Sequence, residues 1–365
     1  MDKKLILAVA GSGKTYEICN QLDENKRNLI LAYTNENINN IYKELLKIKH
    51  KIPENTKIIT FDAFLLNYVA KPLALYVAYN NDKNFIFPDY GCVYNLPLPE
   101  FYDNKSNKYN KNYKEDKIAH YITKTGKFYG ERIAKFVNKF GLIQIVAVSL
   151  KEHFDKIYID EIQDFAGERF DVLKEIINNF NNILLVGDFN QHSVSTKVDK
   201  KKFPFVKDMN ILKYKKLFKE LNVEIDENSL RSSRRCSKEI CNFIKRKLNI
   251  DIESLNLNTG NVIIVNDEQA LEILKNNNII KLVSQKSDDY PFLCLNWGYS
   301  KGDTLNNICV ILNDNLSNFL SDDFNEKTLP NITKNKLYVA LSRTCGDLYI
   351  MTYKQMKNAL LMWEK

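Results

Sequence analysis

Ala8-Val9-Ala10-Gly11-Ser12-Gly13-Lys14-Thr15 is the stretch from which the rest of the chain can be read. It has the P-loop pattern, with alanine at the first position. A loop of this kind turns backbone N–H groups toward phosphate oxygens, and its glycines permit the close approach. The helix that follows aims its N-terminus at the same anion. An apolar run, Leu5 to Ala10, precedes the glycines, and residues from Thr15 to Leu22 can be helical, so the order is strand, loop, helix. In that setting Ala10, Gly11, Ser12 and Gly13 wrap the phosphates, Lys14 reaches the β- and γ-phosphates, and the Thr15 hydroxyl ligates Mg²⁺.

Outward from the loop, short apolar runs alternate with helical stretches. Leu29-Ile30-Leu31-Ala32-Tyr33 precedes a helix expected over Asn37–Ile48, and Lys57 to Phe61 leads into Asp62–Val69. Lys156 to Ile159 and Ile183 to Val186 are two further strands. The alternation predicts an α/β fold with parallel sheets flanked by crossover helices. Lys71 to Lys127 is rich in Tyr, Asn and Lys and reads as a small insertion in the first lobe, with Asp103–Lys117 nearly low-complexity. Two readings of it stay open: a solvated loop, or a nucleic-acid contact using Lys for phosphates and Tyr for stacking. A second boundary falls near Asn222–Asn228, followed by a helix, Lys238–Leu248, and strands near Val262, Ile308 and Leu348. The expected division is residues 1–225, with the insertion at about 71–150, and residues 226–365.

The chemistry concentrates at strand exits. Ile157-Tyr158-Ile159 runs into Asp160-Glu161-Ile162-Gln163-Asp164, the Walker B arrangement. Asp160 at the strand tip is placed to hold Mg²⁺, and Glu161, one residue on, to take a proton from the attacking water. The next strand ends in Gly187-Asp188-Phe189-Asn190-Gln191, which offers Gln191 as a γ-phosphate sensor. In the second half, Leu230-Arg231-Ser232-Ser233-Arg234-Arg235 and Leu337-Tyr338-Val339-Ala340-Leu341-Ser342-Arg343 each carry an arginine. An arginine delivered from a second lobe neutralises transition-state charge and ties hydrolysis to lobe closure.

Composition sets bounds. The chain has 365 residues, with 53 Lys plus Arg against 45 Asp plus Glu and a formal charge of +8. That permits a polyanionic partner without demonstrating one. Seven widely spread cysteines and four histidines show no metal-ligand spacing, so reduced, mostly buried thiols are expected. No apolar run reaches the roughly 18–20 residues that span a bilayer, and the N-terminus lacks a signal-peptide pattern, so no membrane association and a cytoplasmic location are expected.

Order and spacing resemble the superfamily 1 helicases of the UvrD/Rep/PcrA group. AVAGSGKT (Ala8–Thr15) is similar to motif I, LAYTNENINNI (Leu31–Ile41) to Ia, and TFDAF (Thr60–Phe64) to Ib. DEIQD (Asp160–Asp164), the most specific match, resembles motif II, and VGDFNQ (Val186–Gln191) motif III. LRSSRRCS (Leu230–Ser237), YSKGDTLNNICVIL (Tyr299–Leu312) and YVALSR (Tyr338–Arg343) resemble motifs IV, V and VI. The resemblance implies two RecA-like lobes with ATP and Mg²⁺ between them and single-stranded DNA across their tops. Closure and opening of the lobes would then drive a translocase or helicase from the three-prime toward the five-prime end.

By the same resemblance Arg235 and Arg343 face the γ-phosphate, Arg234 and Gly302 lie beside the nucleotide, and Thr34, Asn35, Phe61 and Phe64 fall where the family contacts the strand. For the two phenylalanines, core packing is the competing reading. Several positions depart from the family pattern. Seven residues precede Ala8, too few for the upstream glutamine that reads adenine. Arg234 replaces a base-stacking tyrosine, Asp62 stands where His or Asn is common, and Thr304 stands where motif V has a glutamate. His192-Ser193-Val194 lacks the usual Trp-Arg pair. About 65 residues separate Arg235 from Lys301, leaving no room for the large second accessory subdomain. A short motor of this kind leaves a place for a protein partner that supplies unwinding or nuclease function.

Two other classes compete. One is a nucleotide-binding, DNA-associated assembly subunit with little or no ATP turnover. The other is a GTPase-like switch, from Asp164-Phe165-Ala166-Gly167 and Thr196-Lys197-Val198-Asp199, although Asp160 rather than Asp164 holds the strand tip.

Overall fold

Branched and long aliphatic side chains in runs of four to six residues make strands that are buried on both faces, which is the signature of parallel sheets covered by helices. A computed structural model describes residues 2–81, 91–93, 102–103, 108–109, 115–123, 125–192, 210–298 and 302–363. Six strands form the first sheet: β1 (Asp2–Leu7), β2 (Asn28–Ala32), β3 (Thr56–Thr60), β4 (Lys156–Ile159), β5 (Asn182–Gly187) and β6 (Glu224–Asp226). Their spatial order is β6-β1-β5-β4-β2-β3, and every pair is parallel. Leu5 of β1 lies between Leu185 and Ile225, so an apolar row crosses the sheet.

Five strands form the second sheet: β7 (Val262–Ile264), β8 (Ile279–Val283), β9 (Cys294–Asn296), β10 (Asn307–Ile311) and β11 (Leu348–Met351). The order is β7-β11-β10-β8-β9, again all parallel. The chain is therefore α/β with two parallel sheets flanked by helices. Each sheet has its own apolar cores on its two faces, one of which, in the second lobe, also takes in Val9 and Ala10 of the P-loop.

Helix starts follow local chemistry. The helix after β2 begins at Asn35, two residues earlier than the sequence pattern suggested, because Thr34 caps it by accepting from Asn37 N–H while the Asn37 side chain accepts from Thr34 N–H. Ser237 caps the helix Lys238–Leu248 by accepting from Ile240 N–H.

Described parts of the segment read as an insertion, about residues 71–150, pack on the first lobe's core. Its first helix, Lys71–Asn81, continues from the helical turns after β3. From Ile118 onward, Tyr121, Phe128, Phe136, Leu142 and Leu150 join the same core cluster as Leu5 and Leu29. Helices Ile133–Lys139 and Leu142–His153 thus belong to the first lobe's own core. Most of the low-complexity stretch Asp103–Lys117 lies outside the described residues, as do Thr196–Asp199 and Lys301. Among the described residues no single helix is long and apolar enough to cross a membrane.

Candidate nucleotide-binding cleft

In an open parallel sheet, ligands bind beyond the carboxyl ends of the strands. Three such ends converge here: β1 runs into the P-loop, β4 into Asp160 and Glu161, and β5 into Asp188 and Gln191. Gly11 and Gly13 adopt the left-handed backbone, at φ 68° and 95°, which lets the loop turn its amides inward. Gly13 is followed directly by the helix Lys14–Asn20.

The Walker B residues assemble as expected. The Thr15 hydroxyl donates to Asp160 Oδ2 at 3.3 Å, and the Glu161 amide donates to Asp160 Oδ1 at 2.9 Å. Lys14 Nζ lies 3.7 Å from Glu161 Oε1. Burial pushes the Asp160 carboxyl well above the usual carboxylate range, with the Glu161 charge adding to it and Lys14 opposing. A buried carboxylate in that state is stabilised by a cation. Among the described residues no group of three His, Cys, Asp or Glu side chains could hold a metal alone. If Thr15 and Asp160 held a Mg²⁺, the rest of its shell would have to come from phosphate and water, the usual habit of that ion.

The second lobe closes the cleft. Both sheets contribute to a cavity of about 510 Å³ lined by Lys14, Thr15, Glu161, Gln191, Arg235 and Arg343, together with Gly11–Gly13, Arg234 and Gly302. All the expected catalytic side chains thus meet in one place. Arg235 donates to the Thr304 hydroxyl at 2.9 Å and to the Ser342 carbonyl at 3.0 Å. Arg343, 2% exposed, donates to the Val339 and Asp303 carbonyls at 3.0 and 3.4 Å. Among the described residues neither guanidinium pairs with a carboxylate. Burial, and then the neighbouring Arg235, pull Arg343 down to about 9. Two crowded cations on neutral acceptors make a site for a polyanion. Thr304, a neutral acceptor, leaves the Arg235 charge unneutralised.

Gln191 is 2% exposed and its Nε2 has no partner among the described residues. A buried amide donor left open at the cleft wall fits a phosphate oxygen. Arg234 sits over the Tyr16 ring at 4.9 Å. Sequence reading missed Tyr16; its position directly after Thr15 was the available signal. Gly302, at φ 99°, comes within contact of the helix Asn35–Lys49: a Cβ there would lie 3.4 Å from Glu36 Oε1.

Two expectations need correction. Phe61 and Phe64 are 1% and 0% exposed and sit in the first core, with Phe61 edge-on to Phe165 at 4.8 Å. Neither ring offers a face to a nucleic-acid base. Thr34 and Asn35 are exposed at the carboxyl edge of the first sheet, but the Thr34 hydroxyl is engaged as a helix cap. Asp62 forms a two-pronged ion pair with Arg169, both contacts at 2.8 Å, which neutralises a carboxylate on the expected strand-binding side. Asp164, invoked for the GTPase alternative, is buried a full turn past the strand tip.

Residues 97–194 match the family model of the UvrD/REP helicase N-terminal domain. Among solved structures, the PRRSV helicase aligns with 96% of this chain and 52% of its own length, at 14% identity and a TM-score of 0.44. The Arterivirus nonstructural protein 10 helicase in complex with DNA aligns with 98% of this chain and 63% of its own length, at 12% identity and a TM-score of 0.48. The chain therefore spans just over half to about three-fifths of those helicases. No curated protein matches it.

Proposed function

We propose that this chain is a superfamily 1 motor that hydrolyses ATP between its two lobes and uses the cycle to move along single-stranded DNA in the UvrD manner, three-prime to five-prime, in the cytoplasm. The observation that carries the reading is the single cleft in which Lys14, Thr15, Glu161 and Gln191 from one lobe meet Arg235 and Arg343 from the other. Lys14, Gln191 and the loop amides bind and orient the triphosphate. Glu161, held beside Lys14, accepts the proton of the attacking water. Arg235 and Arg343 neutralise the charge that develops on the transferred group. Mg²⁺ on Thr15 and Asp160 would supply charge neutralisation at the β- and γ-oxygens. Tyr16 and Arg234 provide a stacking pair for the base.

Both arginines come from the second lobe, so turnover depends on how that lobe sits against the first, and this dependence is the basis for converting hydrolysis into stepping. The small insertion and the missing second accessory subdomain favour translocation over processive unwinding by the chain alone, with a protein partner supplying unwinding or nuclease action. The assembly-subunit alternative would leave some catalytic role unfilled, and none is. Steady-state ATP hydrolysis measured with single-stranded DNA, duplex and RNA side by side tests the proposal. Stimulation by single-stranded DNA that disappears in Lys14→Ala is expected. A flat rate, independent of DNA and surviving Lys14→Ala, would remove the motor reading.

A further inference from the structure

Gln163, two residues past Glu161, is bonded at both ends of its side-chain amide behind the cleft. Its Nε2 donates to Glu161 Oε2, and its Oε1 accepts the Asp188 amide at 3.0 Å. Because Oε1 faces a backbone donor, the amide can point only one way, with Nε2 toward Glu161. The sheet makes space for it: a Cβ on Gly187 would collide with Gln163 Oε1 and come within 2.5 Å of Ile162 Cγ2.

Two lines run from Gln163 into the second lobe. Asp188 Oδ2 accepts from the Tyr338 hydroxyl at 3.1 Å, and that hydroxyl accepts the P-loop amide of Ala10 at 2.9 Å. The Gln163 carbonyl meets His192 Nδ1 at 2.6 Å, and the His192 carbonyl accepts Asn335 Nδ2 at 2.8 Å. Asn335 and Tyr338 lie three residues apart on the helix Asn331–Leu341, which ends beside Arg343. Asp188, Tyr338, Gln163 and Asn335 are all buried. Glu161 itself has a left-handed backbone, φ 52°, a conformation that costs an ordinary residue about 1–2 kcal/mol and persists where its surroundings enforce it.

We infer that Gln163 is a positioning residue that makes the alignment of Glu161 depend on docking of the second-lobe helix Asn331–Leu341. The helix that places Arg343 also sets the carboxylate, through Tyr338, Asp188 and Gln163, so the acid–base and charge-neutralising halves of the site assemble together. This rests on the reading of Glu161 as the proton acceptor.

The test is a double-mutant cycle on the full chain with Tyr338→Phe and Gln163→Leu. Tyr338 and Gln163 share no hydrogen bond, so coupling between them passes through Asp188, the shorter link, or through His192 and Asn335. Tyr338→Phe removes one oxygen and is expected to lower the DNA-stimulated kcat about tenfold, on the scale of one buried hydrogen bond, with KM for ATP within about twofold. Gln163→Leu is expected to cost at least as much, and the double variant no more than Gln163→Leu alone, within about twofold. Losses that multiply, or a KM rise in place of a kcat fall, would overturn the inference. Thermal unfolding of the same four proteins reads the coupling without turnover, and non-additive shifts in Tm are expected. If the unsubstituted chain hydrolyses no ATP, the motor reading fails, while additive Tm shifts would independently sink the relay.

Discussion

Gly11→Ala is expected to separate nucleotide binding from hydrolysis. Gly11 sits at φ 68°, where alanine costs about 1–2 kcal/mol. The larger effect lies across the cleft. A Cβ on Gly11 would stand 2.6 Å from Arg235 Cβ and 2.8 Å from Ser233 Oγ. The serine hydroxyl can rotate away, but Arg235 Cβ is fixed to its backbone and has no rotamer to escape into. Ordinary contact begins at 3.4 Å, so the segment carrying Arg235 must retreat by about 0.8 Å. A misplacement of about 1 Å in a catalytic group costs on the order of 10²-fold in rate. The Gly11 carbonyl also accepts the Arg234 amide at 2.9 Å, so the retreat loosens that seam as well. Steady-state hydrolysis with saturating single-stranded DNA should show kcat reduced on the order of 10²-fold. Titration of a fluorescent ATP analogue should show binding weakened far less, because Lys14 and the first-lobe amides remain. Retention of kcat within threefold would refute the claim that the lobes meet at Gly11 during turnover.

Further outcomes follow from the same geometry. Glu161→Gln should keep nucleotide binding and reduce turnover by about 10²–10⁴-fold, the usual weight of general acid–base help; unchanged turnover would remove Glu161 as the proton acceptor. Arg343→Ala should lower kcat by roughly 10³-fold or more, and a loss of less than tenfold would make it a structural residue. Phe61→Ala should cost about 3–5 kcal/mol of stability by chemical denaturation, while the folded fraction keeps its affinity for single-stranded DNA. A selective loss of DNA affinity at unchanged stability would restore the stacking role the structure removes.

Much of the cleft was legible because its residues are adjacent in sequence to the strand ends that position them. Lys14, Asp160 and Gln191 each follow an apolar run within a few residues, so pattern and placement coincide. Phe61 and Phe64 were ambiguous for the same reason. Aromatic side chains beside a strand tip suit either a core or a stacking surface, and only tertiary packing decides, of Phe61 against Phe165 and of Phe64 against Tyr68. Gln163 and Tyr338 were invisible as partners. Their link through Asp188 spans residues far apart in the chain, and neither residue type announces it. Strands Ile279–Val283 and Cys294–Asn296 escaped notice because a buried lysine, Lys281, and short length blur the apolar run. Lys281 is tolerated inside because its ammonium is satisfied by the carbonyls of Asn276 and Ile279 at 2.8 and 3.0 Å.

The seam between the lobes is made largely with main-chain atoms on the P-loop side. Val9 N–H bonds the Leu230 carbonyl at 3.0 Å, Ala10 N–H the Tyr338 hydroxyl, and the Gly11 carbonyl the Arg234 amide. Peptide groups are the same whatever side chain they carry. Mutational drift at Val9 or Ala10 can therefore change the loop's chemistry without unfastening the joint, provided the newcomer is small. A cleft built this way can take new base-contacting side chains while the joint stays fastened.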